Sequence, residues 1–472
     1  MPEFLPGKMC ERGARARDAA AVLLSMLCVV TCTRSAQAHD PPLGTGLFAR
    51  DPGLLIRSNR GLLWSPNGTS DFRLLCNEAL GITTTEVPSI VARSDGRWVI
   101  GTSHGVMLAS ADLCSLQPVA SLTAQAVPAL VVDPKDAARL YASTGQAGIT
   151  DGLQLSTDQG TSFAPYGNQA QNRVYDHVAV SAADPTWLEI SGLRVAPDMA
   201  SLSYFFGSST DRGLTFTHHD FPLAADEYAI ALLGLHPTMR GTAYAAVQAD
   251  QTTDSQDRII RSTDFGQSWS DLARAHRVEA FAIDDTGKTL WVGARDGLWR
   301  SRDAGASFEH VQTDPVFCLL RRGARLYVCD EHANIAGVSV SDDAGDTLTP
   351  LMHFTDVTKM ITCPVSSSTA IACAGPWGDW ERELAIGFVL DGGMPRSDAG
   401  QASADAGLAR DAAAIPGDAA AGAARAKATG CACMVSARGG TRLRGGSALL
   451  LLAAAAGARL RRRRRGAMEG RG

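Results

Sequence analysis

Ser156-Thr-Asp158-Gln-Gly160-Thr-Ser162-Phe163 is one of five copies of an eight-residue phrase. The phrase is Ser, any residue, Asp, any, Gly, any, Ser or Thr, then an aromatic. It returns as Ser209-Thr-Asp211-Arg-Gly213-Leu-Thr215-Phe216 and as Ser262-Thr-Asp264-Phe-Gly266-Gln-Ser268-Trp269. A fourth copy is Ser301-Arg-Asp303-Ala-Gly305-Ala-Ser307-Phe308; the last, Ser341-Asp-Asp343-Ala-Gly345-Asp-Thr347-Leu348, ends on Leu. Each copy has turn chemistry: the Asp carboxylate can accept from backbone N–H groups one or two residues on, and the Gly can adopt the positive φ of a tight reversal. The flanking runs are short, apolar and β-prone, so each turn should join two antiparallel strands.

The phrase resembles the Asp-box, or BNR, repeat of β-propellers. Two worn copies extend it upstream, one around Ser65 and Asn67 and one around Ser110 and Asp112, so the phrase recurs every 39 to 53 residues. A period of that size is the length of a four-stranded blade. The expectation is an all-β, seven-bladed propeller over 39–390, with eight blades as the alternative. The box residues are assigned to structure and not to chemistry, since their side chains are occupied in holding the turn. Each unit reads as four strands, the box turning the third into the fourth. In the sixth unit these are Val278–Ile283, Thr289–Val292, Gly297–Ser301 and Phe308–Gln312. The first unit lacks a clear first strand. Runs after the last box (Met360–Pro364, Thr369–Cys373, Leu384–Leu390) read as late strands that close the ring against it and hide its open edges.

The net charge of −5 is uneven. Residues 1–38 carry five Lys/Arg against three Asp/Glu, and 431–472 carry ten Arg against one Glu, which leaves an acidic body between them. An acidic body argues against nucleic acid as a partner, because phosphate binding needs a cationic stripe. Arg12, Arg15 and Arg17, the apolar run Ala19–Cys32 and Ser35-Ala36-Gln37-Ala38 form a secretory signal with cleavage expected after Ala38. From Asp391 to Gly430 the composition is that of a flexible spacer. Gly430-Cys431-Ala-Cys433, the apolar run Ser447–Ala458 and an arginine block through Arg465 then resemble the MYXO-CTERM sorting tail of myxobacterial surface proteins. That resemblance implies a sorting protease, cleavage near Cys431 and a product on the surface of a bacterial cell. The alternative is a plain C-terminal membrane anchor, its arginines held on the cytoplasmic side.

Export permits disulfides. Cys318 with Cys329, and Cys363 with Cys373, would each face one another across a hairpin. Cys76 and Cys114 form the third pair by elimination; the alternative is six buried thiols. For function, long loops at Gly145–Asp151, Arg194–Leu202 and Ala249–Arg258 build up one sector of a rim. The stretch Gly375-Pro-Trp377-Gly-Asp379-Trp380-Glu381-Arg-Glu383 reads as a binding loop whose two Trp could stack a sugar ring or grip a protein. Gly101-Thr-Ser103-His104-Gly105 fits G-x-S-x-G but lies between two strands, away from the strand-to-helix elbow that motif needs. His218-His219-Asp220 offers metal-capable groups on alternating faces of a strand. Asp boxes also occur in sialidases, which would require an Arg-Ile-Pro motif; Leu55-Ile56-Arg57-Ser58 is the nearest stretch and lacks the proline. The reading is a monomeric, non-catalytic module binding a glycan or an envelope protein, without cofactor or metal. A secreted, sialidase-like glycoside hydrolase with its site on the propeller rim is the alternative.

Overall fold

The structure, a computed structural model, describes residues 42–390 except 84–85, 146–149, 197–200, 251–254 and 332–336. The expected signal (1–38), the whole spacer (391–430) and the tail with Cys431 and Cys433 therefore lie outside the described residues. Seven four-stranded antiparallel sheets follow one another along the chain. Blade 1 is β1 (Gly44–Arg50), β2 (Gly53–Ser58), β3 (Gly61–Ser65) and β4 (Arg73–Cys76). Blade 2 is β5 (Ser89–Ala92), β6 (Trp98–Thr102), β7 (Gly105–Ala109) and β8 (Leu116–Pro118). Blade 3 is β9 (Leu130–Asp133), β10 (Asp136–Thr144), β11 (Thr150–Ser156) and β12 (Ala164–Gln171). Blade 4 is β13 (Arg173–Val180), β14 (Leu188–Val195), β15 (Leu202–Ser209) and β16 (Thr217–Phe221). Blade 5 is β17 (Glu227–Leu235), β18 (Ala243–Ala249), β19 (Asp257–Ser262) and β20 (Ser270–Ala275). Blade 6 is β21 (Val278–Ile283), β22 (Leu290–Ala294), β23 (Gly297–Ser301) and β24 (Glu309–Gln312). Blade 7 is β25 (Val316–Arg322), β26 (Arg325–Asp330), β27 (Gly337–Ser341) and β28 (Thr349–His353).

Each blade's first strand touches the first strand of the next, and β25 touches β1, so these strands ring a central axis. The hydrophobic core is divided accordingly. Trp98, Ile100 and Leu55 join blades 1 and 2; Trp291, Leu298 and Val328 join blades 6 and 7; Leu54, Leu63, Phe317 and Tyr327 close the circle between 7 and 1. Second strands are apolar without alternation, as in Leu54-Leu55-Ile56, because both their faces pack on a neighbouring sheet.

The repeated turn holds each third strand to its fourth. Ser156 Oγ donates to Asp158 Oδ1 (2.7 Å) and accepts from the Gly160 N–H (2.7 Å). Asp158 Oδ1 accepts from the Ser162 N–H (2.9 Å) and Oδ2 from its hydroxyl (2.6 Å). The same bonds recur in the copies at Asp211, Asp264, Asp303 and Asp343. The carboxylate thus reaches four residues on, farther than the expected one or two; the two worn copies bond two residues on, Asp112 to Cys114 and Asn67 to Thr69. Gly160 is required twice over: its φ is +85°, and a Cβ there would lie 2.8 Å from Val99 of the preceding blade.

Three expectations are corrected. Blade 1 has its own first strand, β1, so no late strand completes it. Of the late runs, Met360 makes a single parallel bridge to Leu74 on β4, and Ser368–Leu390 is a helix, α1. Ser367 Oγ caps it by accepting from the Ala370 N–H (3.1 Å), and a five-residue apolar run such as Thr369–Cys373 does not distinguish strand from helix by periodicity. The disulfides are Cys318–Cys329, as expected, with Cys76–Cys373 and Cys114–Cys363. The hairpin that would have paired Cys363 with Cys373 does not form, and each reaches instead to blade 1 or blade 2. Residues 358–380 therefore make a strap across the outer edges of the first two blades.

Candidate functional site

Five of the seven ring strands carry one extra residue near their N-terminal end. Thr45 on β1, Asp176 on β13, Tyr228 on β17, Glu279 on β21 and Phe317 on β25 each interrupt the register with the second strand. A bulge leaves that residue outside the ladder and re-aims its side chain. All ring strands run in one direction, so the five bulges share one end of the axis. The loops joining second to third strands share that end, including the three long ones, whose centres lie outside the described residues. β5 and β9 pair regularly at their N-terminal ends, so the mouth is built mainly by blades 4 to 7 and 1.

Asp176 is half-buried and His177 is open to solvent, yet burial pushes the Asp176 carboxyl up to about 7 and holds the His177 imidazole down to about 4. Both statements hold together for side chains in a narrow, protein-walled channel, where water reaches a group whose surroundings are mostly protein. Ser191 Oγ accepts from the Leu232 N–H (3.0 Å) and lies 3.3 Å from His177 Nδ1. With the hydroxyl proton assigned to Nδ1, neutral His177 carries its own proton on Nε2 as a donor.

The other mouth groups differ in how they are held. Glu279 pairs with Arg277 (2.9 Å) and Arg295 (3.1 Å), and the Arg295 guanidinium stacks 4.4 Å above Phe317. Arg57, singled out for its likeness to a sialidase arginine, donates to the Pro88 carbonyl (2.7 Å) and to Thr45 Oγ1 (3.1 Å) and carbonyl. Burial lowers its pKa to about 10. Gly46 makes room for it, since a Cβ there would lie 3.0 Å from the guanidinium carbon. Burial and then the Asp176 charge raise the Tyr204 phenol; burial, then Asp257 and Glu279, raise Tyr228. Buried Asp257 ties blade 5 to blade 6, accepting from the Ala249 and Val278 N–H groups at 2.8 and 2.7 Å. By contrast, the Asp176 carboxyl has no hydrogen-bond or ion-pair partner among the described residues.

The stretch expected to form a binding loop is corrected. Trp377 and Trp380 lie on α1, and Trp380 is 3% exposed within the cluster that closes blade 7 on blade 1. Trp377 packs against the same cluster; the side chains of Asp379 and Glu381 lie outside the described residues. The residues are helical because Trp377 and Trp380, three apart, share one face and bury it. Ser103 sits in an exposed hairpin turn with its Oγ 2.8 Å from His104 Nδ1 and 2.5 Å from Glu86 Oε2. The carboxylate contacts the hydroxyl and not the imidazole, the reverse of the order that activates a serine. His218 stacks on Tyr175, and Asp220 pairs with Arg194 at 3.1 Å. Among the described residues no group of three or more His, Cys, Asp or Glu is placed to hold a metal. The sequence reading passed over Asp176, Tyr228 and Glu279. The signal was there in Arg173-Val-Tyr-Asp176-His177, where charged residues interrupt an inner strand that packing alone would make apolar.

Comparison with family models and with curated proteins finds no match. Among solved structures the chain is similar to an ancestral GH74 enzyme at 15% identity and a TM-score of 0.45, covering 66% of this chain and 45% of that one. The GH74 xyloglucanase of Xanthomonas campestris is 16% identical with a TM-score of 0.24, covering 63% and 53%. The β-propeller domain of the Trilobed protease from Pyrococcus furiosus is 6% identical with a TM-score of 0.44, covering 66% and 98%. The chain spans about half the length of these two GH74 proteins, 45% and 53%.

Proposed function

We propose that this seven-bladed β-propeller is an exported, cell-surface-anchored binding module for a glycan or a protein, and that the channel mouth is where it binds. One observation carries the reading. The mouth presents aromatic rings, a donor imidazole and a carboxyl without a partner among the described residues, while Arg57 is engaged by backbone carbonyls, Arg258 by Glu227, and Arg277 and Arg295 by Glu279. Convergent arginines free to grip a substrate carboxylate would have favoured a sialidase-like enzyme. The hydrogen bonding of the eight-residue turn supports membership among Asp-box (BNR) propellers. Export and surface attachment rest on the two termini, the second through its resemblance to MYXO-CTERM tails.

A secreted glycoside hydrolase is the second reading, and Asp176 is what favours it: a carboxyl pushed up to about 7 suits a general acid. A glycan array on the purified protein, run with fluorogenic sialoside and β-glucoside assays, separates the two. Binding without turnover is expected, and it should be lost in Tyr228→Ala. Turnover that disappears in Asp176→Asn would replace the binding reading with the hydrolytic one. Surface attachment is tested by protease treatment of intact cells, which should remove the propeller; full protection would refute it.

A further inference from the structure

Asp176 is the mouth group whose chemistry is left incomplete. The bulge between Tyr175 and His177 lifts it out of the β13–β14 ladder, and its carboxyl has neither donor nor cation beside it among the described residues. Three other mouth carboxylates are supplied. Glu279 has two arginines, Glu227 has Arg258 at 2.6 Å, and Asp257 has two backbone N–H groups. Tyr204 stands at the same end of blade 4, near the start of β15, and Tyr228, 38% exposed, is the bulged residue of the adjacent ring strand β17. The hydroxyls of these two tyrosines also have no hydrogen-bond partner among the described residues.

A carboxyl taken partly out of water without a partner is a costly arrangement, and a charged donor brought to it relieves the cost. Aromatic faces beside such a carboxyl add attraction for a cation through the ring quadrupole. We propose that Asp176, with Tyr204 and Tyr228 as walls, anchors a cationic group of the ligand, an amine or guanidinium such as a basic peptide side chain carries. The proposal rests on the binding-module reading and narrows its ligand class. It also makes use of the acidic body, which draws cations toward the ring before contact.

The test is calorimetric titration of the full chain with acetyl-arginine methylamide and with its citrulline counterpart, equal in shape and uncharged. The arginine compound should bind at least tenfold more tightly than the citrulline one. Asp176→Asn should abolish that preference, and Asp285→Asn, an exposed carboxylate on a hairpin at the opposite end of the ring, should leave it unchanged. Tyr228→Ala, which keeps the carboxyl and removes one wall, should weaken arginine binding at least threefold and serves as the probe if Asp176→Asn does not fold. Equal binding of the two compounds, no binding of either, or an intact preference in Asp176→Asn overturns the proposal. Glycan or protein binding that Tyr228→Ala abolishes would, in that event, leave the binding module standing without the cationic anchor. Loss of both would remove the two together.

Discussion

Replacing Glu189 by glutamine should raise the stability of the protein progressively from pH 4.5 to pH 8. Glu189 is fully buried on β14, at the position where other blades carry Leu55, Val99, Tyr141, Tyr244, Trp291 or Tyr327. One carboxyl oxygen accepts from Trp187 Nε1 at 3.2 Å; the other has no partner and lies beneath Gly266 of the next blade. Burial pushes the group up to about 8, and the nearby charge of Asp264 adds to the shift. In the unfolded chain the carboxyl ionises near 4.5, so between the two values the unfolded state releases a proton that the folded state keeps. Its contribution is therefore fully present below pH 4.5 and is lost as pH rises through about 8. At 1.36 kcal/mol per unit, the loss amounts to roughly 3 kcal/mol at pH 7 and about 5 kcal/mol above pH 8. Glutamine keeps the shape and the bond to Trp187 without the charge. Urea unfolding of both proteins from pH 4 to pH 9 gives the difference directly, with the other titrating groups cancelling. Parallel curves across that range would show that Glu189 does not titrate as its burial requires.

Ser156→Ala should cost about 1–3 kcal/mol, since it leaves the buried Gly160 N–H without its acceptor, and ligand binding should not change; denaturation and titration check both. Cys76→Ser with Cys373→Ser should cost roughly 2–4 kcal/mol under oxidising conditions, less than a lone cross-link over so long a loop would, because Cys114–Cys363 still holds the strap. Peptide mapping without reduction should find Cys76 joined to Cys373. Ala304→Gly should stabilise by about 0.5–1 kcal/mol in thermal unfolding, because Ala304 has a φ of +58° that glycine adopts freely. Trp380→Ala should lower stability by about 3–5 kcal/mol as a core substitution, with ligand affinity intact.

The ring was legible because its defining chemistry is local. Ser156, Asp158 and Gly160 lie within five residues of one another, so one reversal is written in one short stretch and its recurrence counts the blades. Register is not local. Nothing in Glu227-Tyr228-Ala229 alone says that Tyr228 stands opposite no partner; that depends on where β18 pairs, some twenty residues on. The mouth, made by such bulges, was for that reason unread. Cysteine partners depend on ring closure: Cys76 finds Cys373 across 297 residues, a distance no hairpin argument spans. The two tryptophans near the end of α1's described side chains show the opposite error, where residue types suited to binding are spent on packing blade 7 against blade 1.

Because the strap is bonded to the first two blades and made after the seventh, its covalent chemistry has an order in time. During synthesis Cys76 and Cys114 emerge first, and their partners follow 297 and 249 residues later. Both early thiols must stay reduced while Cys318 and Cys329 are added between them, and those two need only meet each other across one hairpin. Oxidation that runs ahead of the seventh blade would join the wrong sulfurs. Correct maturation of this molecule therefore requires that Cys76–Cys373 and Cys114–Cys363 be oxidised after the last blade has docked, with a disulfide or other oxidant from outside the chain taking up the electrons.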